Sequence, residues 1–107
     1  MRIRRDKNDF DEDEIVLIAD VSDSLAHPLR VKMLKYIMKA NMELRGVCTK
    51  DLVEEFGYAQ ATVSQHMKKL IQSGLVEVRH EHKFNYYYVN FGLFVRYADL
   101  AKKFTME

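Results

Sequence analysis

Two glycines, Gly57 and Gly74, bracket the part of this chain with the fewest folding options. Ahead of Gly57, Leu52, Val53 and Phe56 recur at helical spacing over residues 50–56, with Thr49 placed as an N-cap and Asp51 in the first turn. Between the glycines, Val63, Met67 and Leu70 fall in one narrow stripe of a helix over residues 60–73, with Ile71 beside it. Glycine ends helices because it takes the left-handed conformation without strain. The two helices therefore stop at Gly57 and Gly74 and are joined by a tight turn. Beyond Gly74, residues 75–79 (Leu-Val-Glu-Val-Arg) alternate like a half-buried strand, and residues 86–89 (Tyr-Tyr-Tyr-Val) are aromatic and β-prone. The polar stretch from His80 to Asn85 reads as the hairpin connection, with Asn85 available for any left-handed position. Two short helices, a tight turn and a hairpin make a helix-turn-helix with a wing.

The flanking segments complete an α-α-α-α-β-β-α order, mainly α with a small β-hairpin. Residues 1–12 are charge-dense and read as a tail; residues 13–107 read as a single winged helix-turn-helix domain. A first helix runs from Asp13, with acids in its opening turn and Ile15, Val16, Leu17, Ile18, Ala19, Val21 and Leu25 behind them. Those apolar residues cover more than one stripe, so the helix needs two surfaces to pack on, and a second subunit is the simplest supply. Pro28 is the only proline and suits the first position of a second helix. In that helix Val31, Met33, Leu34, Ile37 and Met38 are expected inside and Lys32, Lys35 and Lys39 outside. A loop over residues 40–46 and a short strand at Val47–Cys48 lead into the third helix. A last helix from Phe91 to Phe104 shows a broad apolar face of Phe91, Phe94, Val95, Ala98, Ala101 and Phe104.

Length bounds the function. The 107 residues suit one domain and are too few for a typical two-domain enzyme. The chain shows no glycine-rich phosphate loop, no nucleophile elbow and no acid/base constellation, so no enzymatic role and no cofactor are expected. No run approaches a membrane span, and no apolar leader follows the charged start, which leaves the cytoplasm as the expected location. Net charge is only +1, but it is unevenly divided. Residues 1–24 hold four basic and eight acidic side chains, and the remainder holds thirteen basic and eight acidic. Phosphate attraction is local, screened over about 8–10 Å, so this partition matters more than the sum. The acidic first segment is expected to sit away from a nucleic acid.

The helix between the two glycines carries the chemistry. Opposite its buried stripe lie Ala61, Gln65, Lys68 and Gln72, flanked by Ser64, and no carboxylate occurs from Ala59 to Ser73. Glutamine can pair with adenine through two hydrogen bonds, serine reaches base or phosphate, and lysine suits phosphate. Any solvated helix shows polar residues outside; the position of this one, between a helix-turn and a wing, is what points to double-stranded DNA. A winged-helix protein-protein interaction module without DNA binding is the competing reading. It would be expected to show carboxylates or large apolar groups on this face.

Three segments resemble the ArsR/SmtB family of bacterial winged-helix repressors. Leu25-Ala26-His27-Pro28-Leu29-Arg30-Val31-Lys32-Met33-Leu34 is similar to the family's L-A-D-P-T-R-L-x-I-L. Residues 60–70 (Gln-Ala-Thr-Val-Ser-Gln-His-Met-Lys-Lys-Leu), with Ser73-Gly74-Leu75-Val76, resemble Q-S-T-V-S-x-H-L-K-x-L-x-x-A-G-L-V. Tyr87 and Val89 match the family's wing. The resemblance implies a homodimer formed by the first and last helices, binding an inverted-repeat operator. It implies DNA contacts from Gln60, Thr62, Ser64, Gln65, Lys68 and Lys69; in the wing the positive or protonatable Arg79, His80, His82 and Lys83, expected at its tip, suit contact with phosphate or the minor groove. His66 matches the family histidine but lies beside the buried stripe, where packing or a buried hydrogen bond is expected. Arg30 matches the family arginine, with phosphate contact and structural pairing both open. His82 stands where the family has glycine, so the turn must be built differently.

Many relatives sense metals through E-L-C-V-C-D-L on the third helix. Here Cys48 occupies the first cysteine position and Lys50 the second, while the last helix offers Asp99 and no histidine. Both metal-site patterns are broken, so no metal is expected. Cys48 is then either a small buried hydrophobe or a redox thiol with Lys50 beside it.

Overall fold

The computed structural model describes residues 9–106, so residues 1–8 of the expected tail lie outside the described residues. Helix α1 spans Glu12–Ser24 and starts one residue ahead of expectation. Asp11 is its N-cap: the Asp11 carboxylate accepts from the Glu14 N–H at 2.9 Å, and Glu14 accepts back from the Asp11 N–H at 3.0 Å. This reciprocal box satisfies amides that the first turn would otherwise leave unpaired. Helix α2 spans Pro28–Met42. Pro28 takes its first position, and His27 caps it by accepting the Leu29 N–H on Nδ1 at 3.0 Å.

The inner stripe of α2 is Leu29, Met33, Leu34, Ile37 and Ala40, all buried. Val31, expected inside, is 52% exposed. Two residues beyond Leu29 at 100° each, it lies on nearly the opposite side of the helix. The expected loop from residue 40 is shorter than foreseen because α2 continues to Met42. Asn41 holds that extra turn in place: its Nδ2 donates to the Arg45 carbonyl at 2.9 Å, and its Oδ1 accepts the Val89 N–H at 2.8 Å.

Strand β1 (Val47–Cys48) leads directly into α3 (Thr49–Phe56). Cys48, not Thr49, is the N-cap, and its N–H donates to the Asp51 carboxylate at 3.0 Å. The Thr49 hydroxyl is instead 2.8 Å from the Tyr87 hydroxyl. Helix α3 ends at Gly57, whose φ of 74° is the left-handed conformation that glycine adopts freely. Helix α4 (Gln60–Gln72) follows, then β2 (Val76–Glu81), β3 (Phe84–Val89), α5 (Phe91–Ala101) and a 3-10 turn (Lys102–Thr105).

Among the described residues the strands form one antiparallel sheet in the order β1-β3-β2. Val47 and Cys48 pair with Tyr87 and Tyr86, and β2 pairs with β3 from Val76–Val89 out to Glu81–Phe84. The sheet is thus wider and the wing longer than the sequence suggested. Arg79 and His80 lie within β2 and Asn85 within β3, so the tip is only His82 and Lys83. His82, not Asn85, takes the left-handed position, with φ 58°. A positive φ at the first central residue is what a two-residue primed hairpin turn requires.

The core gathers Met33, Ile37, Val47, Leu52, Val63, Met67, Leu70, Leu75 and Val76, each 1% exposed or less. Full burial of side chains this size is worth about 1.5–3 kcal/mol each, so the helix-turn-helix rests on a rigid base. Helices α1 and α5 pack on one another at its edge. There the Ser22 and Tyr97 hydroxyls are 2.9 Å apart, Lys103 bonds Glu14 at 3.0 Å, and Phe10 meets Phe104 with ring centroids 5.1 Å apart.

Candidate nucleic-acid interface

Helix α4 is positioned by its buried stripe, Val63, Met67 and Leu70, against α1, α2 and α3. That orientation leaves Gln60, Ala61, Ser64, Gln65, Lys68 and Gln72 exposed, and Thr62 half-buried at the edge. Its N-cap is Ala59, with no side-chain cap among the described residues and no acid in the first turn. The leading N–H groups and the positive end of the helix dipole are therefore open to an anion.

Two lysines that are adjacent in sequence separate in space. Lys68 belongs to the outer face, whereas Lys69 borders a shallow depression with Asp20, Asp23, Gln72 and Ser73. His66 is half-buried and does not join the outer face. Its Nδ1 lies 3.0 Å from Arg30 Nη1, and its ring is 4.4 Å from that of His27. Burial, followed by the charges of His27 and Arg30, holds its pKa below the ordinary 6.5. Arg30 is engaged inside the chain, donating from Nε to the Ser24 carbonyl at 2.7 Å as well.

In the wing, Arg79 lies over the Tyr88 ring at 4.3 Å from its centroid, a cation–π contact on the outward face of β2. His82 and Lys83 stand at the exposed tip. A cleft of about 380 Å3 runs between the wing and the helix-turn-helix, bordered by Cys48, Thr49, Lys50, Gln60, Lys83, Phe84 and Asn85. Lys50 and Lys83 thus face one opening together with the first residue of α4. The sequence does not connect Lys50 with Lys83, because 32 positions lie between them and no local pattern links them. Cys48 is buried, 9% exposed. No group of three or more His, Cys, Asp or Glu side chains converges in metal-binding fashion among the described residues. No helix among them is long and apolar enough to cross a membrane.

Helix-turn-helix, acid-free outer face and cationic wing together define a winged helix-turn-helix DNA-binding domain. The sequence profile of the bacterial regulatory proteins of the arsR family, a family of transcription regulators, matches residues 27–78. It is 28% identical over 71 residues to the uncharacterized HTH-type transcriptional regulator MJ1325 of Methanocaldococcus jannaschii, covering 66% of this chain and 75% of that one. Its fold is similar to that of an ArsR-like transcriptional regulator from Rhodococcus sp. RHA1, with a TM-score of 0.73 at 16% identity over 85% of this chain and 81% of that one. It is similar as well to the homodimeric winged helix-turn-helix DNA-binding domain of Mb0332 from Mycobacterium bovis. There the TM-score is 0.69 at 20% identity over 94% and 87% of the two chains.

Proposed function

We propose that this chain is a cytoplasmic homodimeric repressor that occludes a promoter by setting two α4 helices in successive major grooves of an inverted repeat. The observation that carries this reading is the exposed, carboxylate-free face of α4. In it Gln65 and Ser64 address base edges, Lys68 a phosphate, and Gln60 and Thr62 the backbone at the helix N-terminus. His82 and Lys83 at the wing tip, with Arg79 behind them, meet the flanking phosphates or minor groove. Lys50 joins them across the cleft, and Lys69 contributes a further charge. Arg30 is left out of the interface because its guanidinium already serves Ser24 and His66.

Support for the dimer is the apolar surface that α1 and the C-terminal elements leave uncovered: Ile15, Val16, Phe91, Val95 and Phe104 are all exposed. A similar fold is described as homodimeric in Mycobacterium bovis. The test is selection of a duplex from random sequence, followed by salt-dependent binding of the wild type, Gln65→Ala and Lys68→Ala. Lys68→Ala should reduce the salt slope by about one and weaken all sequences alike, whereas Gln65→Ala should relax preference at one base pair. Unchanged affinity and slope in both variants would remove the DNA reading.

A further inference from the structure

Arg30 differs from the other cations of α2. Lys32, Lys35 and Lys39 are exposed, whereas Arg30 is half-buried and directs its guanidinium at two other helices. Its Nε donates to the Ser24 carbonyl at 2.7 Å and its Nη2 to the Asp23 carbonyl at 3.4 Å. Both carbonyls close α1, at the negative end of its dipole, where α1 has no basic residue of its own. The remaining arm, Nη1, lies 3.0 Å from His66 Nδ1, in the middle of α4. One planar group therefore ties the end of the helix that carries the proposed dimer face to the helix that carries the proposed base contacts.

We propose that Arg30 is a positioning residue, whose bonds to Ser24, Asp23 and His66 set the rotation of α4 against α1 and so the spacing of the two recognition helices. The inference rests on the DNA-binding, dimeric reading given above. The buried stripe of Val63, Met67 and Leu70 holds α4 to the core, but apolar contact is not directional. Hydrogen bonds are, and they decide where Gln65 and Lys68, which neighbour His66 on the helix, point.

The joint has a chemical condition. A guanidinium nitrogen can only donate, so His66 Nδ1 must accept and the ring proton must sit on Nε2. A second proton on His66 would set N–H against N–H and cation against cation, beside the ring of His27. The groups that press on His66 are His27 and Arg30 from α2; on the α1 side Asp20 and Asp23 border, with Lys69, the next depression along α4. Among the described residues, α3 and β2 direct no charge at it that rivals these. Acid should therefore open the joint, while any general change in the attraction of the wing to phosphate acts on specific and non-specific duplexes alike. The ratio of specific to non-specific affinity separates the two effects.

The experiment measures that ratio by fluorescence anisotropy, on a selected duplex and a scrambled one, at about pH 7.5 and about pH 5.5. In the wild type the ratio should fall about three- to five-fold on acidification, less than the full value of a hydrogen bond to a charged group, because the depressed pKa leaves His66 only partly protonated at the lower pH. His66→Asn retains an acceptor near the Nδ1 position but does not titrate, so its ratio should stay within about two-fold. Arg30→Lys, a single-point donor, should lower the ratio at both pH values. A wild-type ratio independent of pH, or a parallel fall in His66→Asn, overturns the inference. Absence of any duplex binding at the higher pH overturns the DNA reading instead. In that case NMR decides on the joint: amides of α1 residues 22–24 must move with the His66 titration in the wild type, and their failure to move overturns it.

Discussion

Replacing Asn41 by leucine removes the polar joint between α2 and the wing while keeping the branched outline of the side chain. Asn41 Oδ1 is the acceptor of the Val89 N–H at 2.8 Å, and Nδ2 donates to the Arg45 carbonyl at 2.9 Å and, more weakly, to the Tyr87 carbonyl at 3.5 Å. Leucine leaves the Val89 amide, at the buried end of β3, without that partner. An orphaned buried N–H costs about 1–3 kcal/mol, and the lost bond to Arg45 adds about 0.5–1.5 kcal/mol. Water reaches Arg45, so most of the effect belongs to Val89; the expected loss is about 2–3 kcal/mol. Urea unfolding followed by circular dichroism at fixed protomer concentration measures it, since the stability of the proposed dimer would depend on concentration. Hydrogen exchange at the Val89 amide should accelerate in step. Asn41→Asp, which keeps the acceptor, should lose less. A change below about 0.5 kcal/mol in Asn41→Leu, with an unaltered m-value, would refute the assignment of Asn41 as the joint.

Val16→Glu should give a folded monomer: Val16 is 56% exposed in one chain, so only a partner surface is lost. Sedimentation should show the change while circular dichroism does not; a persistent dimer rules that face out. Glu14 is held below the ordinary carboxylate value of 4.5, first by the Asp11 N–H and then by Lys103. The depressed pKa means this stabilisation is present above pH 4.5 and lost as pH falls through the folded value, so Glu14→Gln should flatten the acid limb of the stability curve. An acid limb as steep as the wild type's would contradict this. Gly57→Ala meets no neighbour within 4 Å, so its cost, about 1–2 kcal/mol in thermal unfolding, comes from the positive φ alone. A neutral result would mean that the turn relaxes. Cys48→Ala should cost about 1 kcal/mol and leave DNA affinity under peroxide the same as in the wild type; a peroxide response abolished by the substitution would make Cys48 a sensor.

The elements whose burial repeats locally could be read directly. Val63, Met67 and Leu70 recur at helical spacing, and all three prove fully buried. Gly57 and Gly74 both take positive φ at the ends of the two helices they were expected to stop. Errors gathered where a non-local partner intervened. Helix α2 outruns its expected end because Asn41 finds Val89 across the chain. The wing is longer because β2 and β3 pair out to Glu81 and Phe84, which the local pattern of residues 80–85 does not announce. Thr49 lost the cap because Cys48 was drawn into the ladder with Tyr86 and its N–H into a bond with Asp51.

By itself the sequence determined the order of elements, the buried side of α4 and the absence of carboxylate from its outer face. Each follows from periodicity and residue chemistry within a dozen neighbours. Only the tertiary structure decided what the cations do, because that depends on groups distant in the chain. It drew Arg30 inward to the end of α1 and to His66, brought Lys69 to one depression with Asp20 and Asp23, laid Arg79 on Tyr88, and placed Lys50 and Lys83 at one cleft. A long side chain reaches several ångströms from its backbone position. Its partner is chosen by desolvation and hydrogen-bond geometry at the place it reaches, and neither is written in the local pattern.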